Sequence, residues 1–284
     1  MEIDQAFRMA SLADQLGYEM VAVQDHPYNP QHVDTWTLLT ALAMYTQNVH
    51  LATDVANLGV HPPTMLLKAA STLQMLSGGR VILGVGGGLS ADAVSGFGGL
   101  QVKSARELGD AFAEALELLQ QLQSAQGRAV TYAGKHHNLR NAKFGPALSI
   151  HTPIWTGAMK PRGLRLTGQF ADGWFIPLNN YVADAELPAL QKQVDDAALA
   201  AGRDPRAIRR VRNLSGFIAP EGSTATGRKG ALVGPASHWI ESLTRAVTEL
   251  GIDGVVFWPV QDHERQIAEF AELVLPEVKN AYKA

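Results

Sequence analysis

The chain has no cysteine, which excludes disulfides, thiolate metal sites and a cysteine nucleophile. That absence leads us to expect a cytoplasmic protein. Charge is sparse at 18%, the net charge is -3, the isoelectric point is near 6.3, and no run of Lys or Arg occurs. Nothing in that balance points to nucleic acid or a membrane surface as a partner. No apolar run is long enough to span a bilayer, and the first residues lack the basic region and apolar core of a signal peptide. The nine histidines are scattered without a His-Glu-x-x-His pair, so no metal site is expected. A Gly-x-Ser-x-Gly elbow is also missing, which removes one large class of hydrolases.

Apolar residues, by contrast, make up 46% of 284 residues, enough for a sizeable core and one large domain spanning 1–284. The chain is organised around the stretch from Leu73 to Gly88, LQMLSGGRVILGVGGG. Gly78 and Gly79 suit the end of a helix. Val81 to Val85 is a near-continuous apolar run, as expected of a strand covered on both faces. Gly86, Gly87 and Gly88 then place bare backbone at the C-terminal mouth of that strand, where ligands bind in parallel α/β folds.

Periodicity predicts helices over Glu2–Leu16, Thr35–Thr46, Met65–Leu76, Ser104–Gln123, Pro161–Phe170, Asp184–Ala201, Ser237–Leu250 and His263–Leu275. Strands are expected over Met20–Val23, Leu51–Leu58, Val81–Val85, Ile150–Thr156, Gly173–Pro177, Val211–Ala219 and Gly254–Val260. Gly86–Gly99 reads as a glycine-rich connection, Val130–Leu139 as a small hairpin, and Glu221–Gly234 as a polar loop. The order is one helix followed by seven strand–helix units, which implies a parallel, right-handed α/β sheet. A closed (β/α)8 barrel needs an eighth strand ahead of the first helix, and this chain lacks it. The alternative is an open doubly wound sheet. The barrel is preferred because Gly84-Val85-Gly86-Gly87-Gly88-Leu89 does not complete a dinucleotide fingerprint.

Three places at strand ends have the residue types for chemistry. Asp25-His26 closes the first strand. A histidine there exchanges protons near neutral pH and a carboxylate tunes it; the competing reading is a pair that caps the next turn. Asp54 interrupts the apolar run LATDVANL, either as a carboxylate facing a site or as one bonded to local amides. Trp155-Thr156-Gly157-Ala158-Met159-Lys160-Pro161-Arg162 passes from a strand into a helix. It reads as a phosphate cradle or as an ordinary turn with solvated cations.

The runs MVAVQDH, HLATDVANLGVHPP, LLKAASTLQMLSGGRVILGVGGG and TPIWTGAMKPRGLRLTGQFADGW, in that order, resemble the luciferase-like monooxygenase superfamily of flavin- and deazaflavin-dependent oxidoreductases. The resemblance covers most of the chain and implies a TIM barrel that normally opens with the strand absent here. It implies FMN, or alternatively coenzyme F420, lying across the barrel mouth. His26 would be the acid/base beside Asp25. Asp54, Val55 and Ala56 would stand behind the ring, with a cis Asp54–Val55 bond. Gly86, Gly87 and Gly88 would border the ring, and Gly157, Ala158, Met159 and Lys160 would take the phosphate. Some F420-dependent sugar-phosphate dehydrogenases carry a Glu where this chain has Leu89, which argues against a sugar phosphate. The implied function is oxidation of a small organic substrate by reduced FMN and O2, served by a separate flavin reductase. The alternatives are F420 hydride transfer and a non-catalytic flavin-binding protein. A phosphate-binding isomerase is a further rival, but no Lys or Glu base stands at a strand end. The resemblance also implies a homodimer.

Overall fold

The structure is a computed structural model that describes residues 3–88, 90–145 and 150–283. The expected helix start at Glu2 and the departure at Leu89 lie outside the described residues.

Helix α1 (Ile3–Gln15) leads into β1 (Met20–Val23), α2 (Thr35–Tyr45), β2 (His50–Thr53), β3 (Ala56–Asn57) and α3 (Pro63–Leu76). Then come β4 (Val81–Gly86), α4 (Ala91–Gly96), α5 (Ala105–Ala125) and a hairpin of β5 (Ala129–Ala133) and β6 (Asn138–Lys143). The second half holds β7 (Ile154–Gly157), α6 (Pro161–Phe170), β8 (Gly173–Ile176), α7 (Leu187–Ala200), β9 (Arg209–Ile218) and β10 (Leu232–Gly234). It ends with α8 (Ala236–Thr248), β11 (Gly254–Pro259), α9 (His263–Glu269) and α10 (Leu275–Lys283), the last two joined by a π turn at Phe270–Val274.

Local chemistry explains the long elements. Ser104 caps α5 by accepting the Glu107 N–H at 3.2 Å, and the stripe Leu108, Phe112, Ala115, Leu119 and Leu122 is buried. Burying one such leucine contributes roughly 1.5–3 kcal/mol. Asp34 caps α2 through the Thr37 N–H at 2.7 Å. Gly78 and Gly79, with φ of 69° and 98°, end α3 as expected. Arg80 then ties the turn to α2, donating to the carbonyls of Ala43, Thr46 and Val49 at 2.8–3.0 Å.

The strands run parallel in the order β1-β2-β4-β7-β8-β9, with β11 on β9 and the short β3 and β10 added to β4 and β9. Inside the curve, Ala52, Ile82, Trp155, Phe175 and Val211 form an apolar floor, joined by Ala22 and Val256. Outside, Leu66 and Leu67 of α3 and Leu119 of α5 cover the sheet, in one cluster with Leu83 of β4. Gly84 must be glycine, because a Cβ there would strike the Thr53 carbonyl and the Phe175 ring.

Several expectations need correction. The single strand 51–58 is two strands, broken at Asp54–Val55, where the peptide bond is cis. The connection 86–99 contains α4, capped by Ser90. The polar loop 221–234 ends in β10, whose Leu232, Val233 and Gly234 pair with Gly216, Phe217 and Ile218. The strand at 150–156 begins only at Ile154, because Pro153 carries no N–H for the ladder.

Among the described residues the parallel staves number seven, and β1 and β11 each pair on one edge only. Between them lies a cavity of about 680 Å³. A closed barrel is therefore not seen among the described residues, and the gap falls where the tally of seven strands places it. Among the described residues no helix is long and apolar enough to cross a membrane. No group of three or more His, Asp or Glu among them is disposed to hold a metal.

Candidate active site at the strand mouths

The C-terminal ends of β1, β2, β7, β9 and β11 bring most of the candidate residues to one end of the sheet. The sequence treats Asp25 and His26 as a pair, but their side chains serve different partners. Asp25 is 3% exposed and accepts the Asn57 N–H at 3.0 Å and the His61 Nε2 at 2.8 Å. It fastens the end of β1 to the turn after β3. The bond to Asp25 raises the His61 pKa above its ordinary 6.5, although burial opposes it. His61 stands before the two prolines that open α3.

His26 faces the other way. Its Nδ1 lies 3.0 Å from the Tyr28 hydroxyl, and its ring centroid is 5.6 Å from that of His32. Burial, then the neighbouring His32, lowers its pKa below 6.5, against the pull of Asp25. His26 is therefore neutral at pH 7, with one nitrogen oriented by Tyr28 and Nε2 left for a ligand.

Asp54 follows Ala52 on the interior face of β2, above the apolar floor. Its Oδ2 is sealed from solvent and has no hydrogen-bond partner among the described residues. Burial pushes its pKa up to about 7, while the Asn213 amide pulls the other way. Asn213 lies one step above Val211 on β9, donates to the Ile176 carbonyl at 3.1 Å, and accepts the Trp258 indole N–H at 2.5 Å. Asp54, Asn213 and Trp258 thus form a polar layer over an apolar one. Asn179 extends it by bonding the Ser215 N–H and hydroxyl, both at 3.1 Å.

The glycines prove to be packed by protein. The Val55 side chain lies between Gly86 and Gly157: a Cβ on Gly86 would sit 2.8 Å from Val55 Cγ2, and one on Gly157 would sit 3.2 Å from Cγ1. Gly87 rests against Phe112, and Gly88, with φ of 93°, against Asn57 and Val94. Their small size is used first by these neighbours rather than left as bare backbone. Ala56 is fully buried in β3.

At the other end of the mouth, α6 starts with Pro161 at its first position, and no side chain caps it. Its leading N–H groups are thus open to an anion. Gly157 is half-buried, Ala158 buried, and Met159 and Lys160 exposed. The Ala158 carbonyl accepts the Trp174 indole N–H at 2.9 Å. Arg162 is engaged elsewhere, 2.5 Å from Asp110. The sequence reading missed His61, Asn57, Tyr28, Asn213 and Trp258. Asn213 had a visible signal, an amide inside the apolar run VRNLSG.

A family profile described as luciferase-like monooxygenase matches residues 1–226. This chain belongs to the luciferase-like monooxygenase family. It is 31% identical over 240 residues to a phthiodiolone/phenolphthiodiolone dimycocerosates ketoreductase of Mycobacterium tuberculosis, covering 84% of this chain and 58% of the relative. It is 31% identical over 206 residues to a 5,10-methylenetetrahydromethanopterin reductase of Archaeoglobus fulgidus, covering 72% and 57%. The chain thus spans under two thirds of the length of these relatives. Among solved structures, it superposes on an F420-dependent secondary alcohol dehydrogenase bound to an F420–acetone adduct with a TM-score of 0.85 at 20% identity, covering 98% and 96%. The monooxygenase RslO1 of Streptomyces bottropensis gives 0.81 at 21% identity, covering 96% and 93%. At these identities the structures establish the fold, which is that of the family.

Proposed function

We propose that this chain is an oxidoreductase that exchanges a hydride between coenzyme F420 and a carbonyl or alcohol carbon of a small organic substrate. FMN with O2 stands first in the reading from sequence alone; the two relatives named as reductases, together with a structural neighbour named as an F420-dependent alcohol dehydrogenase, move the weight to F420. The observation that carries the proposal is His26, held neutral with Nε2 unengaged, beside a mouth lined by Asp54, Asn213 and Trp258.

The residues present fit such a cofactor on two counts. Asp54 Oδ2 is a buried polar atom without a partner, and the open start of α6 suits an anionic tail. Asp54 and Val55 would back the ring; Gly86, Gly87 and Gly88 serve it only indirectly, by admitting Val55, Phe112 and Asn57, and Ala56 is buried away from it. Gly157, Ala158, Met159 and Lys160 would hold the phosphate. The bound cofactor supplies the hydride chemistry.

His26 Nε2 takes the hydroxyl proton when an alcohol is oxidised and returns it to the oxygen in the reverse direction. Tyr28 fixes the ring orientation through Nδ1. The Asp25–His61 pair holds the loop after β3 against β1, keeping Val55 in place between Gly86 and Gly157. The apolar floor excludes water from beneath the site.

The FMN monooxygenase reading remains a second one, favoured by the fold shared with RslO1, and it would bring in a separate flavin reductase. A homodimer is part of either reading. The test is photometric. Purified protein is mixed with F420 and a panel of secondary alcohols, and in parallel with reduced FMN and O2. Alcohol-dependent loss of the F420 absorbance, abolished by His26→Ala, supports the proposal. Binding of neither cofactor would refute both readings.

A further inference from the structure

Asn57 has one group that the fold leaves unused. Its N–H is held by Asp25 at 3.0 Å, and its carbonyl accepts the N–H groups of Val60 and His61, both at 3.0 Å. Its side-chain oxygen accepts the Gly59 N–H at 2.9 Å. That bond settles which way the amide points, because only the oxygen can take the proton. Nδ2 is therefore fixed as the other arm. Asn57 is 4% exposed, and its Nδ2 has no partner within hydrogen-bond distance among the described residues. Gly88 makes room for this amide: a Cβ there would stand 2.9 Å from Oδ1 and 3.3 Å from Nδ2.

The acceptor that Nδ2 faces is the Tyr28 hydroxyl. Burial raises the Tyr28 pKa above its ordinary 10, the Asn57 amide lowers it, and Asp25 raises it. An amide N–H lowers a phenol's pKa by pointing at its oxygen. The same hydroxyl lies 3.0 Å from His26 Nδ1. A hydroxyl has one proton to give, and an amide nitrogen cannot accept it. The Tyr28 proton is therefore directed to Nδ1. With Nδ1 accepting, neutral His26 carries its own hydrogen on Nε2, the nitrogen left for a ligand. The other titratable groups around this chain of bonds are Asp25, tied to His61, and His32 on the same loop. His263 of α9 shares the cavity that His32 lines. Among them His26 stays neutral at pH 7.

We propose that Asn57 and Tyr28 fix His26 in its Nε2–H tautomer, so that the site presents a proton donor to a carbonyl oxygen, with Tyr28 donating to Nδ1 as Nε2 gives its proton away. This inference rests on the redox reading above and deepens it. The substrate class is a ketone or aldehyde to be reduced, and Tyr28 and Asn57 are positioning residues that act through His26.

The step balances. Hydride arriving from the reduced cofactor forms the new C–H bond, and the C=O π pair moves onto oxygen. That oxygen takes the Nε2 proton while Nδ1 takes the Tyr28 proton. His26 ends neutral, and Tyr28 ends as a phenolate beside Asn57 Nδ2. The transfer runs downhill, since an alkoxide is far more basic than a phenolate. Once product leaves, water protonates Nε2 and Nδ1 returns its proton to Tyr28, which restores the starting tautomer. Alcohol oxidation retraces these steps and must start from the phenolate. It is therefore the slower direction at neutral pH, where Tyr28 keeps its proton.

The tautomer is read in the full chain without cofactor, by long-range proton–nitrogen NMR correlation at about pH 8, where His26 is neutral. His26→Gln assigns the signals. The proposal expects hydrogen on Nε2 and a bare Nδ1. Asn57→Asp puts an acceptor where Nδ2 stands, draws the Tyr28 proton away, and should move the hydrogen to Nδ1. Tyr28→Phe removes only a half-buried hydroxyl and should leave a mixture of the two tautomers. In reduction of a ketone panel by reduced F420, wild-type kcat should be level from about pH 7 to about pH 8.5. Tyr28→Phe should lose about tenfold in kcat per pH unit over that range, with KM within about threefold, because only the charged ring can then give a proton. Hydrogen on Nδ1 in the wild type overturns the proposal. So does a Tyr28→Phe variant that keeps the wild-type tautomer, or one whose kcat profile runs parallel to the wild type. The NMR readout requires no cofactor, so the expected tautomers without turnover of F420 would fault the redox reading and uphold the placement of the proton.

Discussion

Replacing Asp54 with asparagine isolates the effect of a charge held over an apolar floor. In the folded chain burial lifts this carboxyl from its ordinary 3.8 to about 7. The sign follows directly. Below 3.8 the group is protonated in both states and contributes nothing against folding. As pH rises past 3.8, the unfolded chain ionises it while the folded chain holds the proton. Stability therefore falls until the folded group ionises near 7, and is level above that. At 1.36 kcal/mol per pKa unit the full loss is about 4 kcal/mol, of which about 3 kcal/mol falls between pH 5 and pH 8.5. Asparagine has nearly the same shape and carries no charge. Urea unfolding of both proteins at the two pH values, with m-values compared, reads the difference. The variant should gain about 3 kcal/mol on the wild type between pH 5 and pH 8.5. A difference that is the same at both pH values, within about 1 kcal/mol, would refute the claim that Asp54 is ionised at a desolvated site.

Other outcomes follow from the same geometry. Asp25→Ala leaves the Asn57 N–H and His61 without their buried acceptor and should cost about 3 kcal/mol. Because His61 has a raised folded pKa, its contribution is complete below 6.5 and is lost as pH rises through that raised value. The loss measured for Asp25→Ala should accordingly be larger at pH 5.5 than at pH 9, and an equal loss would count against a charged pair. Gly86→Ala forces a methyl to 2.8 Å from Val55 Cγ2 and should destabilise by about 1–3 kcal/mol. Val55→Ala should recover part of that loss in a double-mutant cycle, and strict additivity would show that the two residues do not meet. His26→Gln should lower kcat by about 10²–10⁴ while leaving cofactor affinity within about threefold. Amides of β1 and β11 should exchange faster than those of β4, since they lie on the open edges of the sheet.

The seven-strand count is legible in the sequence because each covered strand is a short apolar run and each helix has its own stripe, as in Leu108 to Leu122 of α5. The same count accords with the unpaired edges of β1 and β11 among the described residues. The break at Asp54–Val55 is not visible as a break, because ATDVAN has no glycine or proline to mark it; the family resemblance alone locates it. The site is legible in part. Strand-end position identifies Asp25, His26 and Asp54, but not their partners. Asp25 and His26 are adjacent in sequence and so point apart at the end of a strand, and the bond from Asp25 spans 36 residues to His61. The polar layer of Asp54, Asn213 and Trp258 is assembled from three strands far apart in the chain, and no local pattern announces it. The glycines mislead in an instructive way. A run of three suggests space for a ligand, whereas Val55, Phe112 and Asn57 already take up that space.

The central claim is that the strand mouths together seat a flat redox cofactor. A crystal structure grown with F420, and a second grown with FMN, tests it most directly. The account predicts one of them with its ring in contact with Asp54 and Val55, His26 Nε2 facing the substrate side, and its phosphate at the start of α6. A cofactor lodged in the slot between β1 and β11, or bound on an outer face away from His26, would contradict it.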